Sequence, residues 1–165
     1  MRRLPFLPLL LLIGCSKHPL AVATQQADKI VVEKSTHTMT LYSKGAVLRT
    51  YRVALGRGAG QAKQRQGDHE TPEGLYTIDA KNIHSRFHLA LHVSYPNADD
   101  KRRAQKLRVA PGGDIMIHGL ENGLGWLGSI QHHVDWTDGC VALTDDEVDE
   151  VSRLVPIGTP IEIQH

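Results

Sequence analysis

His118 ends the apolar run Ile115-Met116-Ile117 and meets Gly119, and Cys140 stands in Thr137-Asp138-Gly139-Cys140. A histidine and a single cysteine this far apart in sequence can meet in space, as thiol hydrolases and acyltransferases require. Imidazole takes the thiol proton and later hands it to a leaving amine, while backbone N–H groups around Gly139 and Cys140 can face a developing oxyanion. Glycine before the nucleophile permits a tight turn and close approach of substrate. Against this stands the general tendency of a lone His or Cys to be a packed residue.

The other histidines invite a metal reading. His84, His88 and His92 recur every four residues, which on a helix would align them. The surrounding Leu89-Ala90-Leu91 and Val93 read instead as a strand, on which residues four apart lie about 13 Å from one another, too far to close around one ion. Neighbours His132 and His133 diverge on any regular backbone, and Pro72 and Gly74 interrupt a helical site after His69-Glu70. No metal and no cofactor is expected. His92 and Tyr95 are candidates for the substrate cleft, with packing as the alternative.

The second cysteine bears on the first. Arg2 and Arg3 precede an apolar stretch, Leu4 to Ile13, of the length of a secretory core and too short for the about 20 residues that span a bilayer. Its end, Leu12-Ile13-Gly14-Cys15, resembles the lipobox of bacterial lipoproteins, which implies cleavage after residue 14 and a lipid on Cys15. The alternative is an ordinary secretory signal cut further on. Either way the exported domain keeps one thiol, Cys140, which has no intramolecular partner in an oxidising compartment. Residues 1–14 are thus expected to be signal, 15–27 a lipidated cysteine and a tether reaching at most about 40 Å, and 28–163 one domain. Ser16 in place of Asp favours, by the same resemblance, the outer over the inner membrane of a Gram-negative envelope.

Loss of Arg2 and Arg3 takes Lys plus Arg from 19 to 17, against 18 Asp plus Glu. This near-neutral balance, without a basic stripe interleaved with aromatics, argues against nucleic acid. The densest basic stretch, Lys101 to Arg108, reads as a solvated helix face.

The elements that must position His118 and Cys140 are mostly of period two. Lys29–Glu33, Met39–Tyr42 and Val47–Leu55 read as an antiparallel meander, followed by a Gly-rich loop at 56–67 and strands at Leu75–Ile78, Leu89–Tyr95, Ile115–Ile117 and Thr159–Ile163. The loop is no phosphate cradle, since Lys63 is not followed by Ser or Thr. Thr144-Asp145-Asp146-Glu147 is a capping box, and Val148, Val151, Leu154 and Val155 form one apolar helix face. The expected fold is mainly β, with one or two short helices. Between base and nucleophile, residues 119–136 combine Gly119, Gly123, Gly125 and Gly128 with Trp126 and Trp136. They read as a flap over the site or, alternatively, as a loop that Trp126 anchors to the core.

His118-Gly119, a Gly- and Trp-containing loop and Thr137-Asp138-Gly139-Cys140 together resemble the signature of the L,D-transpeptidase catalytic domain, also called YkuD-like. Gly67-Asp68 before Thr71-Pro72-Glu73-Gly74, the Gly45 turn and Tyr95-Pro96-Asn97 fit as well. The resemblance implies a mixed β-sheet or sandwich in a single domain, with Cys140 as nucleophile, His118 as general base and acid, and Gly119 supplying the carbonyl that orients it. Thr137 and Gly139 match positions of the motif. It further implies peptidoglycan stem peptides as partners, with acyl transfer from the diamino acid at position 3 to an amine, an envelope protein being one possible acceptor. Asp138 stands where the family often has His, and Ala142 where Asn or Arg is common, which marks a divergent branch. Thr137, Asp138, His92, Tyr95 and Trp126 are the expected substrate contacts. Hydrolysis in the same site, and a non-catalytic peptidoglycan-binding lipoprotein, remain as alternative readings.

Overall fold

A computed structural model describes residues 25–165. The expected signal segment 1–14, Cys15 and residues 16–24 of the tether lie outside the described residues. β1 (Lys29–Glu33), β2 (Thr38–Ser43) and β3 (Ala46–Arg52) form the expected antiparallel meander, with Ile30, Val32, Met39 and Leu41 fully buried on one face. The remaining strands are β4 (Gly74–Ser85), β5 (His88–Val93), β6 (Met116–His118), β7 (Val141–Ala142) and β8 (Pro160–Gln164).

All eight join one sheet in the order β3-β2-β1-β8-β4-β5-β6-β7. The sheet is mixed, because β1 with β8 and β6 with β7 run parallel while the other neighbours are antiparallel. Strand β4 joins the two halves: Gly74–Thr77 pair with β8, and Ile78–Ser85 pair with β5 through two register shifts. The expected strand Leu75–Ile78 is therefore much longer. Its extension, Asp79 to Ser85, has no apolar alternation because both of its faces meet solvent along most of its length, and backbone pairing with β5 holds it. β7 has two residues, too few for any periodic signal.

α1 (Ala98–Leu107) begins on an Asn97–Asp100 capping box and buries Asp100 and Ala104, while its basic face is solvated as expected. α2 (Asp145–Leu154) begins on the Thr144–Glu147 box, where Glu147 Oε2 accepts from the Thr144 amide at 2.9 Å. Its buried Val148 and Val151 join Leu91, Ile117, Val141 and Leu143 in the core. That packing lays α2 under the strands that carry His118 and lead away from Cys140.

Candidate active site

Parallel pairing of β6 and β7 sets Ile117 opposite Val141 and His118 opposite Ala142. Ile117 and Val141 are fully buried, so alternation puts their neighbours on the other face. Extending the register by one residue sets Cys140 beside Met116, on the same face as His118. Two chain-distant residues are thus brought together by adjacent strands rather than by loops.

His118 is 4 % exposed, and its Nδ1 donates to the Gly119 carbonyl at 2.6 Å. A carbonyl only accepts, so the proton resides on Nδ1 and Nε2 is the bare nitrogen, free to take a proton. Phe87 packs tilted on the imidazole at 4.6 Å between centroids, and Trp136 meets it edge-on at 5.6 Å. Burial pushes the imidazole below its ordinary value, opposed by the Gly119 carbonyl. Burial likewise pushes the Cys140 thiol up; the Met116 amide and Lys63 oppose this, and the Asp138 and Asp114 carboxylates add to it. Both shifts favour neutral forms, so the resting pair is thiol and imidazole.

The turn before Cys140 is fixed by Thr137. Its hydroxyl donates to the Cys140 carbonyl at 2.8 Å and accepts from the Gly139 amide at 3.1 Å. Gly139 has φ +122°, and a Cβ there would lie 2.5 Å from the Glu70 carbonyl oxygen. Only glycine fits both demands. The Gly139 amide, expected to face an oxyanion, is already engaged by Thr137. Gly119 is also required: a Cβ would lie 2.7 Å from Asp145 Oδ1, the oxygen that accepts from the Leu120 amide at 2.9 Å.

The L,D-transpeptidase catalytic domain family, YkuD, matches residues 27–163. The chain belongs to that family. Among curated relatives, the Escherichia coli K12 protein named "Putative L,D-transpeptidase YafK" is 29% identical over 132 residues, covering 76% of this chain and 46% of its own length. The chain thus spans about half the length of the curated relatives it matches. Among solved structures, the helical cell shape determining protein Pgp2 of Campylobacter jejuni superposes with TM-score 0.65 at 20% identity, over 86% of this chain and 49% of that one. An L,D-transpeptidase from Mycobacterium smegmatis gives TM-score 0.55 at 21% identity, over 84% and 59%. These likenesses show the fold, a mixed-sheet L,D-transpeptidase domain.

Within this YkuD domain the expected substrate contacts divide. Asp138 is exposed at the mouth of the site, its Oδ1 accepting from Arg57 Nε at 3.0 Å and lying 2.8 Å from His69 Nδ1. The Arg57 hydrogen bond holds its carboxyl below the usual range. His92 shares the face of His118 through the pairs Ala90–His118 and His92–Met116, and its Nδ1 bonds Asp79 at 2.5 Å. Thr137 is 4 % exposed and organises the turn before Cys140 rather than a surface for ligand. Tyr95 lies not in the cleft but in the core: its ring meets Tyr76 edge-on, and its hydroxyl donates to the Pro111 carbonyl at 2.8 Å. Trp126 is 77 % exposed, which overturns its reading as a core anchor; it projects from two 3-10 turns, Gly125–His133, broken at Gly128. The tryptophan that touches the site is Trp136.

Phe87, Arg57 and Asp114 were not singled out in the sequence, and His69 was weighed there only as a metal ligand and set aside. Phe87 sits in the β4–β5 turn, outside any periodic run, yet it is the one phenylalanine beyond the apolar leader. A concavity of about 970 Å³ along α1 holds neither His118 nor Cys140. A smaller one of about 290 Å³ is lined by Lys63, His69, Asp114 and Asp138 among others; Cys140 is not in its wall, but its thiol points at the carbonyl of the lining residue Asp114 from 3.6 Å.

Proposed function

We propose that the chain is a cysteine-dependent L,D-transpeptidase of peptidoglycan. Cys140 attacks the carbonyl of the diamino acid at position 3 of a stem peptide. His118 Nε2 takes the thiol proton and delivers it to the departing amine of D-alanine, leaving a thioester that an amine acceptor then resolves. The observation that carries this reading is the fixed tautomer of His118, whose Nδ1–H rests on the Gly119 carbonyl one strand away from Cys140. An imidazole so held can act only through Nε2. With the Gly139 amide engaged, the Cys140 N–H is the donor of this turn that serves the oxyanion.

Family membership supports the substrate class, since L,D-transpeptidases act on stem peptides. Attachment of Cys15 to lipid, and residence on the periplasmic side of the envelope, complete the reading. The test is incubation of the protein with disaccharide tetrapeptides and mass analysis of the products. Crosslinked or amine-exchanged muropeptides support acyl transfer; tripeptide alone supports hydrolysis. An unchanged substrate, or full turnover by Cys140→Ala, overturns the thiol mechanism.

A further inference from the structure

A second imidazole stands beside the nucleophile turn, at the opposite end of it from His118. In the β6–β7 register Cys140 lies next to Met116; His118 is two residues further along β6, and Asp114 two residues back. The Asp114 end opens into the cavity of about 290 Å³, whose walls include His69, Asp138 and Lys63. His69 holds a left-handed backbone at φ +58°, unusual for a residue with a side chain. Close packing holds it there. A Cβ on Gly56 would collide with the His69 carbonyl oxygen and lie 3.0 Å from Gly139 Cα, and the Glu70 carbonyl abuts Gly139. The Gly58 amide donates to the His69 carbonyl at 3.0 Å.

The side chain of His69 is partly exposed, with Nδ1 2.8 Å from Asp138 Oδ1 but out of line for a hydrogen bond. Such contacts tighten when substrate closes a site. A carboxylate facing Nδ1 favours the proton there and leaves Nε2 bare. The Arg57, Asp138, Lys63 and Asp114 side chains are the charged groups that share this corner. Arg57 binds the same Oδ1, and among the described residues Asp138 Oδ2 has no recorded partner.

We propose that His69, backed by Asp138, is a catalytic residue of the second half-reaction: it receives the proton of the amine acceptor, which enters through the Asp114 cavity. The inference rests on the acyl-transfer reading above. The acceptor nitrogen bonds to the thioester carbonyl carbon, and the C–S bond breaks with its electron pair remaining on sulfur. The ammonium proton formed on that nitrogen passes to His69 Nε2. The Cys140 thiolate then regains a proton, through water, from the His69 imidazolium. Two imidazoles on two sides of one thioester let the departing amine and the incoming amine use different approaches.

The test separates the half-reactions by rapid quench, with a disaccharide tetrapeptide as donor and D-methionine as acceptor. His69→Asn is the variant of choice, because asparagine tolerates the left-handed backbone. First-turnover release of D-alanine is expected within about twofold of wild type. Amine-dependent breakdown of the acyl-enzyme is expected to slow roughly 10²-fold, the lower range for loss of a general base. Acylated Cys140 then accumulates. Asp138→Asn, at a side chain 73% exposed and thus tolerant of change, is expected to slow the same step by about tenfold, and it decides the matter if His69→Asn does not fold. Equal slowing of both half-reactions, or unchanged breakdown, overturns the role of His69. A wild-type protein that forms no adduct on Cys140 removes the acyl-transfer reading itself.

Discussion

Gly139 and Glu70 touch backbone to backbone: a Cβ added to Gly139 would stand 2.5 Å from the Glu70 carbonyl oxygen. The turn before Cys140 is therefore braced by the segment that carries His69, and the position of Cys140 depends on the loop before β4 as much as on β7, which follows it.

Gly139→Ala tests that brace. The substitution meets both a positive φ and a rigid carbonyl, so the turn must shift. A fall in melting temperature on the order of 10 °C is expected, together with loss of Cys140 acylation. A stable, active variant means the turn is free to move.

The neutral resting pair predicts a pH profile. His118 has to be unprotonated to take the thiol proton, and burial lowers its pKa. The acid limb of the acylation rate is thus expected below the ordinary histidine value of about 6.5. The sign for stability follows: the unfolded imidazole binds its proton more readily, so stability is lost as pH falls from that value toward the folded pKa. Because burial raises the thiol, alkylation of Cys140 by iodoacetamide at neutral pH is expected to be slower than that of free cysteine. Fast alkylation at pH 6 contradicts the neutral pair.

Cys15 tests the address. Cys15→Ser is expected to abolish lipid attachment and shift the protein from the membrane to the soluble periplasmic fraction, or to leave the precursor uncleaved. Native protein in the soluble fraction with no lipid mass on Cys15 refutes the anchor.

Much of this architecture was legible because apolar alternation is strong wherever one strand face is buried. Ile30 and Val32 on β1 and the Thr144 capping box are cases in point. The family signature that spans His118 and Cys140 was legible, and the chain belongs to that family. The second half of β4 was not, since its outer residues are held by backbone pairing alone. Nor were Phe87 and His69, which reach the site from turns whose placement is a property of the folded sheet. Tyr95 failed as a cleft residue because nothing local in Val93-Ser94-Tyr95-Pro96 tells a core tyrosine from a site tyrosine.

Asp68 fastens the loop that delivers His69. Burial works to raise its pKa, but Lys63 and the amides of Arg65, Gln64 and Glu70 outweigh it and hold the carboxyl at about 2. Lys63 Nζ and Asp68 Oδ1 are 2.7 Å apart, with side chains 3% and 12% exposed. A folded pKa depressed from 3.8 contributes about 2 kcal/mol at neutral pH, lost as pH falls through that window. Asp68→Asn should lower the melting temperature at pH 7 by several degrees and flatten its decline between pH 4 and about 2. An unchanged decline means the ion pair does not hold this loop.

The two tryptophans of the loop between His118 and Cys140 separate packing from cover. Trp136 Nε1 donates to Gln131 Oε1 at 2.9 Å, and its ring lies against both His118 and Phe87. The loop is fixed at both ends. Asn122 bonds the Arg86 carbonyl and the His88 amide, and Asp135 accepts from the Leu55 amide at 2.8 Å. Between these ties Trp126 faces solvent with Ile130. Trp136→Ala should therefore lower both the melting temperature and the acylation rate, because it removes a wall of the imidazole. Trp126→Ala should leave the melting temperature unchanged, since a side chain 77 % exposed contributes little to folding. If the middle of the loop closes on a bound stem peptide and excludes water from the thioester, Trp126→Ala also raises the ratio of hydrolysis to acyl transfer. An unchanged product ratio in this stable variant removes the covering role and leaves Trp136 as the only one of the two that serves the site.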